Sequence, residues 1–339
     1  MSGTPAEGTG PAFTAAAPVR LDLAGGWTDV PPFSDREGGV VIAVAVRLFA
    51  RAEVRLGGSG FRLVSEDLND ELQVRDSAGL VNDGRLSLLK AGLRMLPVGA
   101  CTLTTRSDAP AGSGLGSSGA LDVALVAALS AARGESPDPF DIAERACHLE
   151  SVEAGIPGGK QDQFASSHGG FLRLDFKDPD TDVQRLNLDH EFCDDLARRT
   201  VLCYTSASRF SGTTIDRVMR AYEGGEPSVT RALHGLCSTA QSMEAALMSG
   251  DVARVGRLLS ENWAQQQALD SRMRTDEMAR LEQAVTAAGA LGGKAAGSGA
   301  GGCMFFLTPD DPRQVMEAAR NCGVALLPVR WAMYGVRQC

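Results

Sequence analysis

The stretch Pro110-Ala-Gly-Ser-Gly-Leu-Gly-Ser-Ser-Gly119 and the run behind it, Ala120–Ala132, decide how the chain is read. The run is apolar on nearly all sides except Asp122 and Ser130, so the spacing predicts a buried helix. Glycines on alternate positions, Gly112, Gly114 and Gly116, allow unusual dihedrals and close backbone approach. Their amides, with those that open the helix, converge on an anion that also feels the positive end of the helix dipole. Ser117 and Ser118 can cap that helix or place a hydroxyl on a metal held by phosphates. No Gly-Lys-Ser/Thr follows, so this is not a Walker A loop. A plain turn with a serine cap would account for one serine and one or two glycines. The coincidence of all these features with an apolar helix points to a phosphate cradle.

Around this loop the chain alternates strands and helices without a strict βαβ rhythm, which predicts an α+β protein of two domains. Strands are expected at Val19–Leu23, Val40–Val46, Arg51–Leu56, Gly60–Ser65, Ala100–Thr105 and Gly170–Phe176. Helices are expected at Leu86–Leu96 and Pro139–Ala154, and a more helical second half runs from Thr213 to Ala288. There Gly292–Gly302 reads as a loop leading into a strand, Cys303–Leu307, then the helix Asp311–Cys322 and a last strand. The division expected is a disordered lead-in at 1–14, an N-terminal domain at 15–190 and a C-terminal domain at 191–339.

Composition excludes several classes. The 339 residues carry 33 basic and 42 acidic side chains, net −9, without the basic stripe of a nucleic-acid binder. The longest apolar run, Val40–Val46, is far too short to span a bilayer, and Met1–Ala17 lacks the basic and apolar regions of a secretory signal. Eight cysteines show no C-x-x-C pair and read as reduced thiols, so a cytoplasmic protein that binds neither nucleic acid nor membrane is expected. Glycine is abundant, at 39, and clustered. Lysine is confined to Lys90, Lys160, Lys177 and Lys294, and Lys160 and Lys294 lie inside glycine clusters.

Two further motifs complete a pattern. Ala17-Pro-Val-Arg-Leu-Asp-Leu-Ala-Gly-Gly-Trp-Thr-Asp29 comes first and Gly293-Lys-Ala-Ala-Gly-Ser-Gly-Ala-Gly-Gly-Cys303 last, with the Pro110–Gly119 loop between them. In order and separation the three resemble the motifs of the GHMP kinase superfamily, the group of galactokinase, homoserine kinase, mevalonate kinase and phosphomevalonate kinase. Leu23-Ala-Gly-Gly-Trp-Thr-Asp29, Gly158-Gly-Lys-Gln-Asp-Gln163 and Thr205-Ser-Ala-Ser-Arg-Phe-Ser211 are similar to the branch of D-glycero-D-manno-heptose 7-phosphate kinase and the L-fucokinase kinase domain. The resemblance implies an N-terminal domain like ribosomal protein S5 domain 2 and a ferredoxin-like C-terminal domain. It also implies ATP and Mg²⁺, a sugar or sugar-phosphate substrate phosphorylated on its anomeric hydroxyl, and a monomer or homodimer.

Phosphoryl transfer needs neutralised triphosphate charge, an aimed hydroxyl and an acceptor for its proton. The resemblance assigns Pro110, Gly112, Ser113, Gly114, Leu115, Gly116, Ser117 and Ser118 to ATP, and Ser118 with Glu150 to the metal. Glu153 is the neighbouring metal candidate, with an exposed carboxylate on a helix as its plainer reading. Asp162 matches the catalytic aspartate, as base or as orienting group, and Arg20 and Lys160 are the cations expected beside it. Gly26, Trp27, Thr28, Asp29, Gly159 and Gly299 are placed on the sugar, Asp29 as an acceptor for its hydroxyls. Trp27 either faces the sugar ring or packs the core. Arg209, Arg272 and Arg274 are candidates for a second phosphate, and Lys294 is read as structural. One departure stands out: the Leu258–Trp263 stretch is followed by Ala264-Gln-Gln-Gln267, where the heptose kinases carry lysines.

Overall fold

A computed structural model describes residues 9–206 and 211–338. Its strands are β1 (Ala12–Ala24), β2 (Gly39–Leu56), β3 (Phe61–Ser65), β4 (Asp70–Val74), β5 (Cys101–Ser107), β6 (Phe171–Lys177) and β7 (Asp180–Arg185), followed by β8 (Thr200–Ser206), β9 (Gly292–Ala295), β10 (Gly302–Leu307), β11 (Ala325–Leu327) and β12 (Arg337–Gln338). One sheet runs β12-β1-β2-β5-β3-β4, with β6 on the other end of β2 and β7 beside it; the second runs β11-β8-β10-β9. Pairing is antiparallel except between β3 and β5. The fold is α+β in two sheet-and-helix units, as expected from the sequence.

The two strands expected at Val40–Val46 and Arg51–Leu56 are a single long strand, β2. Its first half is apolar on both faces and buried; its second half alternates Ala50, Ala52 and Val54 inward with Arg51, Glu53 and Arg55 outward. Pro18 on β1 has no N–H for the ladder, and the register slips there from Phe49 to Val46. On its other edge β2 pairs with β6 through Gly39–Val44 and with β5 through Ala50–Leu56.

The helix Ser117–Ala132 packs on β1 and β2, flanked by the helices Pro139–His148 and Gln161–His168. It is buried on all sides, as its uniform apolarity requires. In the second unit the helices Pro227–Met248 and Val252–Leu269 pack against each other, and the second also lies against β9. One continuous core holds Leu21, Val44 and Phe171 of the first sheet with Phe305, Leu202 and Leu259 of the second unit.

Three boundaries differ from the sequence reading. β1 begins at Ala12, paired to Arg55, so residues 12–14 belong to a strand and not to a lead-in. The helix expected at Pro139–Ala154 ends at His148 and continues as a π-helical turn, Leu149–Glu153, with Ala154 N–H bonded to Leu149 C=O. The last strand expected, near Ala325–Val329, is β11, and beyond it an unexpected strand, β12, pairs with β1, so the chain passes from the second unit back to the first sheet. Among the described residues no helix is long and apolar enough to cross a membrane.

Candidate active site

β1 delivers two charged side chains into the seam between the sheets. Arg20 is almost fully buried; its Nε donates to Asp162 Oδ1 at 2.7 Å and its Nη1 to the carbonyls of Gly114 at 2.8 Å and Ala296 at 2.9 Å. One guanidinium therefore ties together the helix Gln161–His168, the first glycine loop and the late loop. The fork geometry of arginine suits three acceptors at once, which a lysine could not match. Two residues on, Asp22 accepts from buried Lys294 Nζ at 2.6 Å, and its backbone carbonyl accepts from the same amine at 2.8 Å. Burial pulls the Lys294 amine below its usual range while Asp22 holds it up. This lysine is structural, as expected.

The first glycine loop stands directly over Asp162. Gly116 has φ +72°, and a Cβ there would lie 2.9 Å from Asp162 Cγ and 3.2 Å from Arg20 Cγ. Only glycine lets the loop close on that ion pair. Gly116 is also the residue that begins the helix, without a side-chain cap, so neither Ser117 nor Ser118 caps it. Ser118 Oγ instead donates to Glu150 Oε1 at 2.7 Å, and Glu150 Oε2 accepts from Gln163 Nε2 at 2.6 Å. The π-turn supplies Glu150 at this point. Burial, reinforced by the charge of Asp162 and opposed by the Ser118 and Gln163 hydrogen bonds, pushes Glu150 up to about 7. With Ser118 Oγ beside it, the Glu150 carboxylate forms an oxygen donor set of the chemistry that suits Mg²⁺.

On the far side of Asp162, Asp29 is fully buried and accepts from Gln161 N at 3.0 Å and Gln161 Nε2 at 3.1 Å. Burial raises it to about 6 against the pull of the Gln161 amide, with Asp162 and Asp22 adding repulsion. Gly159 makes room for it: a Cβ there would sit 1.9 Å from Asp29 Oδ2. Trp27 adopts φ +85°, unusual for a bulky residue, and its ring both lines the cleft and packs in the core. These groups surround a cleft of about 330 Å³, of a size for a small-molecule ligand.

The structure sorts the sequence candidates. Arg20, Gly26, Trp27, Asp29, Gly112, Gly114, Gly116, Ser117, Ser118, Glu150, Gly159 and Asp162 line the cleft. Pro110, Ser113 and Leu115 do not; they shape the loop, Ser113 C=O accepting from Cys303 N and Leu115 C=O from Arg20 N. Thr28 is turned inward, its hydroxyl bonded to Gly25 and Val40, because the opening turn needs those backbone groups satisfied. Gly299 packs against Met273 rather than lining the cleft. Lys160 stands half-buried at the start of its helix and makes no ion pair among the described residues, and Arg20 is the cation on Asp162. Arg272 is paired with Asp270, Arg274 with Glu282 and Glu153 with Arg94. Arg209 lies outside the described residues. Sequence reasoning missed Asp22, Gln161 and Gln163; only the Gly158–Gln163 motif gave any signal for the two glutamines.

A chain with this seam, glycine loop and carboxylate set is a phosphotransferase acting on an alcohol group. The family models described as GHMP kinases N terminal domain and GHMP kinases C terminal match residues 85–170 and 243–325. The chain is 30% identical over 314 residues to D-glycero-alpha-D-manno-heptose 7-phosphate kinase of Campylobacter jejuni, covering 90% of this chain and 92% of that one. It is 27% identical over 326 residues to the bifunctional fucokinase/GDP-fucose pyrophosphorylase of Arabidopsis thaliana, 86% of this chain but 29% of that longer protein. The crystal structure of a D-glycero-D-manno-heptose 1-phosphate kinase from Bacteriodes thetaiotaomicron superposes with a TM-score of 0.79 at 26% identity, covering 96% of this chain and 98% of that one. The protein belongs to the GHMP kinase family.

Proposed function

We propose that the protein is an ATP-dependent sugar kinase that phosphorylates the anomeric C1 hydroxyl of D-glycero-D-manno-heptose 7-phosphate. The observation that carries the reading is the Arg20–Asp162 pair, set between a glycine loop on one side and the Asp29 acceptor on the other. Asp29 and the Gly26-Trp27 turn receive the sugar, and the buried carboxylate accepts hydrogen bonds from its hydroxyls. Arg20 occupies Asp162 Oδ1. Oδ2 takes no hydrogen bond among the described residues and stands 3.0 Å from the position of a Gly116 Cβ, beside the phosphate cradle. That oxygen is placed to accept the proton of the attacking hydroxyl as the loop amides hold the departing charge. An anomeric hydroxyl is more acidic than other sugar hydroxyls, which suits a carboxylate acceptor. Ser118 and Glu150 would hold Mg²⁺, which when bound with ATP neutralises the triphosphate.

The identity to the heptose 7-phosphate kinase over nearly its whole length supports the substrate. One observation favours a second reading, an unphosphorylated sugar such as L-fucose. Arg20 is the only Arg or Lys among the described residues lining the cleft, and its guanidinium is already committed. A panel of sugars and sugar 7-phosphates with ATP, read by ADP release and by ³¹P NMR of the product, tests both. Turnover of the heptose 7-phosphate to a 1,7-bisphosphate is expected. Turnover confined to unphosphorylated sugars would transfer the assignment, and ATP binding without sugar-dependent ADP release would remove it.

A further inference from the structure

Asp122 sits in the middle of the apolar helix Ser117–Ala132, one turn beyond Ser118, and is wholly buried. A carboxyl there is costly unless it is hydrogen-bonded. Neither Asp122 Oδ1 nor Oδ2 has a satisfactory hydrogen-bond partner, and neither does the buried Gln163 Oε1. The Gln163 carboxamide lies alongside Asp122 and also donates through Nε2 to Glu150 Oε2 at 2.6 Å. The three orphaned atoms are all acceptors. One proton resident on Asp122 pairs two of them, one carboxyl oxygen with Gln163 Oε1, since a carboxylic acid donates where a carboxylate cannot. Burial, and then the charges of Glu150 and Asp162, favour the protonated form, against the Gln163 side chain, which favours the charged one.

We propose that Asp122 is a positioning residue: as a neutral acid its O–H holds Gln163 Oε1, and the fixed carboxamide sets the Glu150 carboxylate for the cation. The chain runs Asp122 to Gln163 to Glu150, with Ser118 closing on the other oxygen of Glu150. It rests on the reading of Ser118 and Glu150 as the metal donors. Outer partners of this kind orient a metal ligand without touching the ion.

The test compares Asp122→Asn, Asp122→Leu, Gln163→Met and the Asp122→Leu/Gln163→Met double variant of the full chain. The readouts are Mn²⁺ binding in the presence of ADP, followed by electron paramagnetic resonance, and the infrared band of a buried carboxylic acid. Asparagine keeps a donor for Gln163 Oε1, so it should hold Mn²⁺ affinity within about twofold while abolishing the acid band. Leucine should weaken Mn²⁺ by about tenfold, with the kinetic loss in the apparent KM for magnesium rather than in kcat. The double variant should be no worse than either single one, because both break the same chain. The proposal is overturned if asparagine weakens Mn²⁺ as much as leucine does, if leucine changes nothing, or if no acid band disappears. Should the leucine variant fail to fold, the asparagine comparison and the infrared band still decide. If the wild type itself binds no Mn²⁺ with ADP, the metal assignment fails, and the infrared band reports on Asp122 separately.

Discussion

At the scale of single residues the proposed chemistry rests on Asp162 and on the carboxylates that burial has moved from their ordinary behaviour. Asp162→Asn keeps the shape and the contact to Arg20 Nε but removes the proton acceptor; kcat should fall by about a hundredfold or more, with KM for ATP little changed. Steady-state kinetics would check it, and wild-type turnover would remove the assigned role. Glu150 carries a pH dependence whose sign can be worked out. Its carboxyl, at about 7 in the folded protein against 4.5 unfolded, binds a proton more tightly when folded. That contribution to stability is fully present below pH 4.5 and is lost as pH rises through about 7. In the absence of metal, Glu150→Gln should therefore melt higher than wild type at pH 8, by a few degrees, and the difference should shrink at pH 5. Apparent magnesium affinity should run the other way and weaken as pH falls below about 7, because the cation must displace the proton. A melting difference that does not depend on pH would contradict the assignment. Arg20, Asp29 and Asp162, which meet at the cleft, each sit in a contiguous motif, whereas Glu150 lies in none and was reached only through the family resemblance. Lys160 stands two positions from Asp162 in sequence but makes no ion pair with it among the described residues, since residues two apart on a helix do not face each other.

At the scale of elements the glycine loop and its helix were the most readable part of the chain, because uniform apolarity in a long helix has one solution, burial. The π-turn at Leu149–Glu153 was not readable. A one-residue widening of a helix leaves no composition signature, yet it supplies Glu150 where Ser118 can reach it. The merging of two expected strands into β2 was hidden for a related reason: the bulge opposite Pro18 interrupts the alternation without interrupting the strand. The loop's demand for glycine can be separated into backbone and crowding parts. Gly116 and Gly134 have nearly the same φ, +72° and +73°, but a Cβ at Gly134 meets nothing within 4 Å. Alanine at either position incurs about 1–2 kcal/mol of left-handed strain. Only Gly116→Ala also presses on Arg20 and Asp162, so it alone should lower kcat/KM, by about tenfold or more, at comparable loss of Tm. Equal activities for the two variants would show that the loop is not closed on the ion pair.

At the scale of the molecule two sheets are held as one body by polar contacts across the seam as well as by a shared core. Asn262 Oδ1 receives Gly25 N, Glu37 receives both Tyr222 and His234, and buried Lys294 on β9 is clamped to Asp22 on β1. The interlock was invisible in sequence, since each of these contacts joins residues 185 to 272 positions apart. The return of β12 to the first sheet was equally hidden, because two residues carry no periodicity. The Asp22–Lys294 pair is the sharpest test of the interlock, as both partners are buried and each is the other's only opposite charge within hydrogen-bonding reach among the described residues. Lys294→Met leaves Asp22 buried and unpaired, which should destabilise by about 3–5 kcal/mol. Adding Asp22→Asn removes the stranded charge and should recover a large part of that loss. Urea unfolding followed by tryptophan fluorescence measures both, with Trp27 and Trp263 in the second unit's core and Trp331 in the core shared between the sheets. If the pair joins the sheets as one cooperative body, the wild type unfolds in a single transition and Lys294→Met lowers its midpoint or splits it. A single variant as stable as the wild type, or a double variant no better than the single, would mean that the apolar core alone couples the two sheets.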